Sequence, residues 1–125
     1  MLYYATTVTA IGDEAAELLD GGILVLYADG APEALAEISV QHRVDGGAFE
    51  QAPPVGAHVR FGGLDARLTA VGDAAWAKVR EMGHVVLNFN GSATADRPGE
   101  LCAEQRAPDE LRRMIVPGAR MSIAD

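Results

Sequence analysis

The chain has 125 residues, 49% of them apolar and 22% charged, the make-up of one ordinary globular domain with length for a single hydrophobic core. Eighteen acidic against ten basic residues give a formal net charge of −8. Such a surface repels the phosphate backbone of nucleic acid and the anionic face of a membrane. The single cysteine, Cys102, excludes an internal disulfide and a cysteine-based metal cluster and fits a reducing compartment.

Residues 1–7 lack the basic-then-apolar pattern of a secretory signal, and no apolar run approaches the roughly 20 residues that cross a bilayer. A cytoplasmic protein without direct membrane insertion is expected. Residues 2–10, rich in Tyr, Thr and Val, have the pattern of a first strand, broken at Ile11-Gly12. Asp13 is placed to cap a short helix through Leu19, with Gly21 as its stop. The apolar run 22–28 reads as a strand closed by Asp29-Gly30. Pro32 and Glu33 suit the start of a helical turn reaching Glu37; a strand over 38–44 and a turn at Asp45-Gly46-Gly47 follow.

The proline-bearing loop 51–56 precedes two strands, 58–61 and 66–71, around a turn at Gly62-Gly63-Leu64-Asp65. Asp73 is placed to cap the strongest helix, 74–82, which sets Ala75, Trp76, Val79 and Met82 on one side and stops at Gly83. Further strands are expected over 84–89, 99–105 and 119–124, with a helical turn at 108–113. Fourteen glycines and six prolines agree with many short elements joined by tight turns. The pattern contains no internal repeat and no strict β-α-β alternation. It predicts a mainly β fold: a compact, barrel-like mixed or antiparallel sheet with a few short helices.

His42, His58 and His84 are the obvious nucleophiles or metal ligands. None is paired at helical ligand spacing, so a zinc site would need all three to converge from different strands. Ser39, Ser92 and Ser122 lack the Gly-x-Ser-x-Gly elbow, and the absence of a Gly-x-Gly-x-x-Gly turn leaves no cofactor to expect. Period-two geometry puts Ile38, Val40, His42 and Val44 on one strand face and Ser39, Gln41 and Arg43 on the other. His42 is then either a core histidine bonded to a backbone carbonyl or a half-buried neutral imidazole able to accept a phosphoryl group. A reference pKa of ~6.5 leaves its lone pair available near neutrality, and phosphoryl transfer asks mainly for positioning and charge stabilisation. His84 either supports His42 or is an exposed strand-end residue. His58 reads as structural or exposed, and Cys102 as a small core residue.

The order of these motifs resembles the glucitol/sorbitol-specific IIA component of the bacterial sugar phosphotransferase system. The pieces run from Thr6-Thr7, Thr9 and Ile11-Gly12 through Ala31-Pro32, Leu35 and Glu37 to His42. They continue with Gly56, Gly62, Thr69-Ala70-Val71-Gly72, Arg80-Glu81-Met82-Gly83-His84-Val85, Phe89, Gly91, Pro98-Gly99 and Pro117-Gly118. The resemblance implies a compact β-rich pseudobarrel that is phosphorylated by the general phosphocarrier HPr. It also implies transfer onward to the IIB component of a IIB/IIC permease. By the same resemblance His42 is the acceptor, His84 a supporting residue, and Arg43 a departure from the small or thiol residue expected after the acceptor. The alternatives left open are a non-catalytic polyol-binding or regulatory β-barrel module and a metal-dependent enzyme using the three histidines.

Overall fold

The alternation read along the strands becomes a closed barrel in the computed structural model, which describes residues 1–46 and 48–125. In chain order the described elements are β1 (Leu2–Ile11), α1 (Ala15–Asp20), β2 (Ile23–Ala28), α2 (Glu33–Ala36), β3 (Val40–Gly46) and β4 (His58–Phe61). They continue with β5 (Leu64–Val71), α3 (Ala75–Met82), β6 (Val85–Asn88), β7 (Glu100–Ala103), α4 (Pro108–Met114) and β8 (Arg120–Ala124). Around the barrel the strands run β1-β3-β2-β6-β7-β5-β4-β8 and back to β1. The β2–β3 and β6–β7 pairs are parallel and the others antiparallel. Among the described residues closure leaves no free sheet edge, the standard hazard of a β protein.

Inward positions alternate as the sequence pattern requires: Tyr4, Thr6 and Val8 on β1, Leu24 and Leu26 on β2, Leu64, Ala66 and Leu68 on β5 are all buried. Trp76 and Val79 of α3 and Leu111 and Ile115 of the α4 region add to this core.

The structure overturns the expectation that the chain has no repeat. Exchanging β1 with β5, β2 with β6, β3 with β7 and β4 with β8 returns the same ring of neighbours. The matching segments are Thr9-Ala10-Ile11-Gly12-Asp13 and, sixty residues on, Thr69-Ala70-Val71-Gly72-Asp73. Both glycines do the same work. Gly12 N–H bonds the Ser39 carbonyl at 2.9 Å and Gly72 N–H the Glu100 carbonyl at 2.8 Å. A Cβ at either would lie 2.1 Å from the Ala36 oxygen or 2.3 Å from the Pro98 oxygen, so only glycine fits. The parallel pairs match as well: Leu26 opposite Val40 corresponds to Leu87 opposite Leu101, and Tyr27 opposite Gln41 to Asn88 opposite Cys102.

That crossing also explains where the expected caps fail. Glu14 and Ala74, not Asp13 and Asp73, stand at the helix N-caps, and neither makes a side-chain cap bond. Their own N–H groups are instead met by the Glu37 and Pro98 carbonyls, each at 2.8 Å. The third strand is displaced towards the C-terminus, beginning at Val40 because the Ser39 carbonyl is engaged by Gly12, and running to Gly46 because Gly46 pairs with Ala5. Asp45 and Gly46 are therefore strand rather than turn, while Gly47 of the expected turn lies outside the described residues. The turn expected over Gly62-Gly63-Leu64-Asp65 is shortened to Gly62-Gly63, because β5 begins at Leu64. No helix among the described residues is long and apolar enough to cross a membrane.

Candidate functional site

His42 sits on β3 between Val8 of β1 and Ala28 of β2, with its side chain in the barrel interior beside Val40. The expected face holds for Val40 and His42, both 0% exposed, and fails for Val44, which is 40% exposed. The imidazole is thus buried completely and not half-buried. Its Nε2 lies 2.8 Å from the carbonyl oxygen of Gly83 and 3.5 Å from the Tyr4 hydroxyl. The Tyr4 and His42 rings meet edge to face, with centroids 5.8 Å apart. Since a carbonyl only accepts, Nε2 carries the proton. The lone pair of the neutral ring is then on Nδ1, which is enclosed and has no hydrogen-bond partner among the described residues.

Burial pushes the pKa of His42 below its ordinary value of 6.5, against the opposing pull of the Gly83 carbonyl and then of Asp29 and Asp45. The ring is therefore neutral near pH 7. Burial alone pushes the Tyr4 hydroxyl up to about 12, so it remains a neutral O–H beside the imidazole.

Gly83 reaches His42 because it ends α3. It adopts the left-handed conformation, φ +62° and ψ 25°, and closes the last turn with its N–H on the Val79 carbonyl at 3.0 Å, while the His84 N–H meets the Lys78 carbonyl at 3.4 Å. This is the usual glycine role just past a helix C-terminus. A Cβ there would stand 2.8 Å from the Ala28 Cβ and 3.3 Å from His42 Nε2. The helix stop seen in the sequence is also the roof of the histidine site.

The other sequence candidates lie elsewhere. His84 is next to Gly83 in the chain, but its ring packs on Tyr27, with centroids 5.2 Å apart. No hydrogen bond joins it to His42 among the described residues. Burial, with Lys78 adding a smaller repulsion, pushes its pKa down. His58 Nδ1 is paired with Asp65 at 2.8 Å on the β4–β5 hairpin. Among the described residues no three His, Cys, Asp or Glu side chains stand close enough to hold a metal. Arg43 points away from His42, to the outer face, and pairs with Asp45 at 3.0 Å. Tyr4 and the Gly83 carbonyl escaped the sequence reading; the alternation of β1 does place Tyr4 inward with Val8, the strand neighbour of His42.

These features define a class: a closed, internally repeated β-barrel that holds one neutral imidazole in a fixed orientation under a helix cap. The crystal structure of a PTS system IIA component from Enterococcus faecalis V583 has the same fold over 97% of this chain and 99% of that one. The TM-score is 0.73 at 18% sequence identity. The family model for the PTS system glucitol/sorbitol-specific IIA component matches residues 3–116. Relatives named PTS system glucitol/sorbitol-specific EIIA component, from Shigella flexneri and Escherichia coli K12, are each 34% identical over 116 residues. That alignment covers 93% of this chain and 89% of each relative. The chain belongs to the glucitol/sorbitol-specific IIA family, and so is a phosphocarrier component of a sugar-transporting phosphotransferase system.

Proposed function

We propose that His42 is the residue that carries the phosphoryl group, accepting it from phospho-HPr and giving it to the IIB component of a glucitol/sorbitol-type permease in the cytoplasm. The observation that supports this most is the state of the ring: neutral, held in one orientation by Gly83, with an unpartnered ring nitrogen. An imidazole that served only to satisfy core polarity would be expected to use both nitrogens.

In the transfer, the His42 lone pair forms a new N–P bond as the N–P bond of the donor histidine breaks, and that electron pair returns to the donor ring. One phosphohistidine replaces another, so no energy input is needed, and the protein supplies alignment and electrostatics. Full burial adds a requirement. The enclosure around Nδ1 must open before a partner can reach the lone pair, while the Gly83 carbonyl keeps the proton on Nε2. Met82, 41% exposed, and the Tyr27–His84 ring pair flank Gly83 and offer a small apolar patch for transient docking. His84 acts there as a supporting residue at the partner contact, not through direct contact with the resting imidazole.

Complete burial also favours a second reading, in which His42 is a core residue without chemistry. Incubation with phosphoenolpyruvate, enzyme I and HPr separates the two. The first reading expects an acid-labile adduct that is absent in His42→Ala and retained, formed more slowly, in His84→Ala. Undiminished labelling of a folded His42→Ala variant would assign the phosphoryl group elsewhere.

A further inference from the structure

On the outer wall opposite the histidine face, strands β3, β1, β8 and β4 form a groove of about 640 Å³. Its lining contains Arg43, Arg60 and Arg120 together with Thr7, Ser122 and Asp45. Register explains the convergence. Thr7 pairs with Arg43 on one side and with Arg120 on the other, so two arginines flank one threonine across three neighbouring strands. Arg60 pairs with Ser122, two residues along β8 from Arg120 and on the same face, a diagonal spacing of about 7–8 Å between backbones. All three guanidinium groups can therefore reach a common point.

The charge of this groove is opposite to that of the molecule. The chain carries eighteen acids and ten bases, whereas the groove has three arginines and one acid. Arg60 and Arg120, diagonal neighbours on β4 and β8, repel one another. Asp45 pairs with Arg43, accepts from the Thr7 hydroxyl and attracts Arg120 at longer range. Arg60 leans on Asp65 at 3.4 Å, and Arg120 makes no ion pair among the described residues.

We infer that this groove binds a phosphate monoester. Guanidinium forks match phosphate oxygens in pairs. The two hydroxyls and the Asp45 carboxylate provide the donors and acceptors that hydroxyl groups on the ester's carbon chain would use. The site is separate from the phosphoryl relay, because Arg43 and His42 project to opposite faces of β3, and it is independent of the role proposed for His42.

Titration calorimetry on the whole chain, with a hexitol 6-phosphate, inorganic phosphate and the free hexitol as probes, tests the inference. The ester is expected to bind, with Arg120→Gln and Arg43→Gln each weakening it at least about tenfold, while His42→Ala leaves it unchanged. Binding should also weaken as salt is added. Equal affinity for ester and inorganic phosphate would support the phosphate site and assign it to free phosphate, whereas a preference for the ester would support the full ligand. Three outcomes overturn the inference: no heat with either phosphate, binding that survives Arg120→Gln, or tighter binding of an acidic peptide than of any phosphate. The arginines are exposed on a strand wall, so these variants should fold, and unchanged urea midpoints would verify it.

Discussion

Gly83→Ala tests the roof of the histidine site directly. The substitution forces an L-residue into the left-handed region at φ +62° and places a methyl 2.8 Å from the Ala28 Cβ and 3.3 Å from His42 Nε2. The backbone term is about 1–2 kcal/mol, and overpacking a filled site adds about 1–3 kcal/mol. A loss of about 2–5 kcal/mol is thus expected, a large share of the stability of a small domain. Gly30→Ala is the control: Gly30 also has positive φ, +91°, but nothing lies within 4 Å of its Cβ position, so only the backbone term applies. Urea unfolding of both variants gives the difference, which should be at least about 1 kcal/mol in Gly83→Ala's disfavour. Ala28→Gly removes the nearest atom, and in a double-mutant cycle should recover part of the loss as coupling energy. If Gly83→Ala costs no more than Gly30→Ala, the α3 cap does not sit on Ala28 and His42, and the account of the site collapses.

Stability should fall as pH drops below 6.5, because the unfolded chain takes up protons there that His42 and His84, both pushed down from 6.5 by burial, refuse when folded. Asp45, held down by the Thr7 hydroxyl and Arg43 from 3.8, acts only at lower pH. Urea midpoints that stay level between about pH 7.5 and 5.5 would contradict the burial of both histidines, and His42→Gln should flatten part of the slope. Tyr4→Phe should change stability by no more than about 1 kcal/mol in urea unfolding, since its hydroxyl stands 3.5 Å from His42 Nε2, the outer limit of a hydrogen bond. Cys102 is buried, and burial, reinforced by Glu100, pushes its thiol up to about 11. A disulfide exchange reagent should therefore label native protein slowly and urea-unfolded protein at once; immediate stoichiometric labelling of the native form would contradict the packing.

Much of the barrel is written in local patterns. In β4 and β5, apolar residues alternate with polar ones and the burial follows residue by residue, so the strands and their faces can be read directly. The direction of His42 is legible for the same reason, being fixed by the phase of β3. Its depth is not. That depends on the Gly83 carbonyl, forty-one residues away, and on where Tyr4 meets it across the barrel. The caps fail for a related reason: Asp13 and Asp73 have the right chemistry, but the carbonyls of Glu37, just past α2, and of Pro98 reach the helix starts first. The repeat is in principle visible, since Thr-Ala-Ile-Gly-Asp and Thr-Ala-Val-Gly-Asp recur at a spacing of sixty. Taken singly, such small residues mean little. Only the paired close approaches at Gly12 and Gly72 give them weight.

The repeat also shows how a near-symmetric barrel comes to hold one buried imidazole. By the register of the parallel pairs, the residue that corresponds to His42 in the second half is Ala103, which is equally buried. The glycines at the matched ends of α1 and α3 have also diverged in use. The Gly22 carbonyl accepts the Phe89 backbone N–H at 2.8 Å and so continues the sheet, whereas the Gly83 carbonyl accepts the His42 Nε2–H at 2.8 Å. A carbonyl that extends the ladder in one half is the imidazole's anchor in the other. The two halves therefore depart from symmetry twice here, with a histidine opposite an alanine and a helix cap turned inward to meet it. The second departure is what holds the ring in one tautomer.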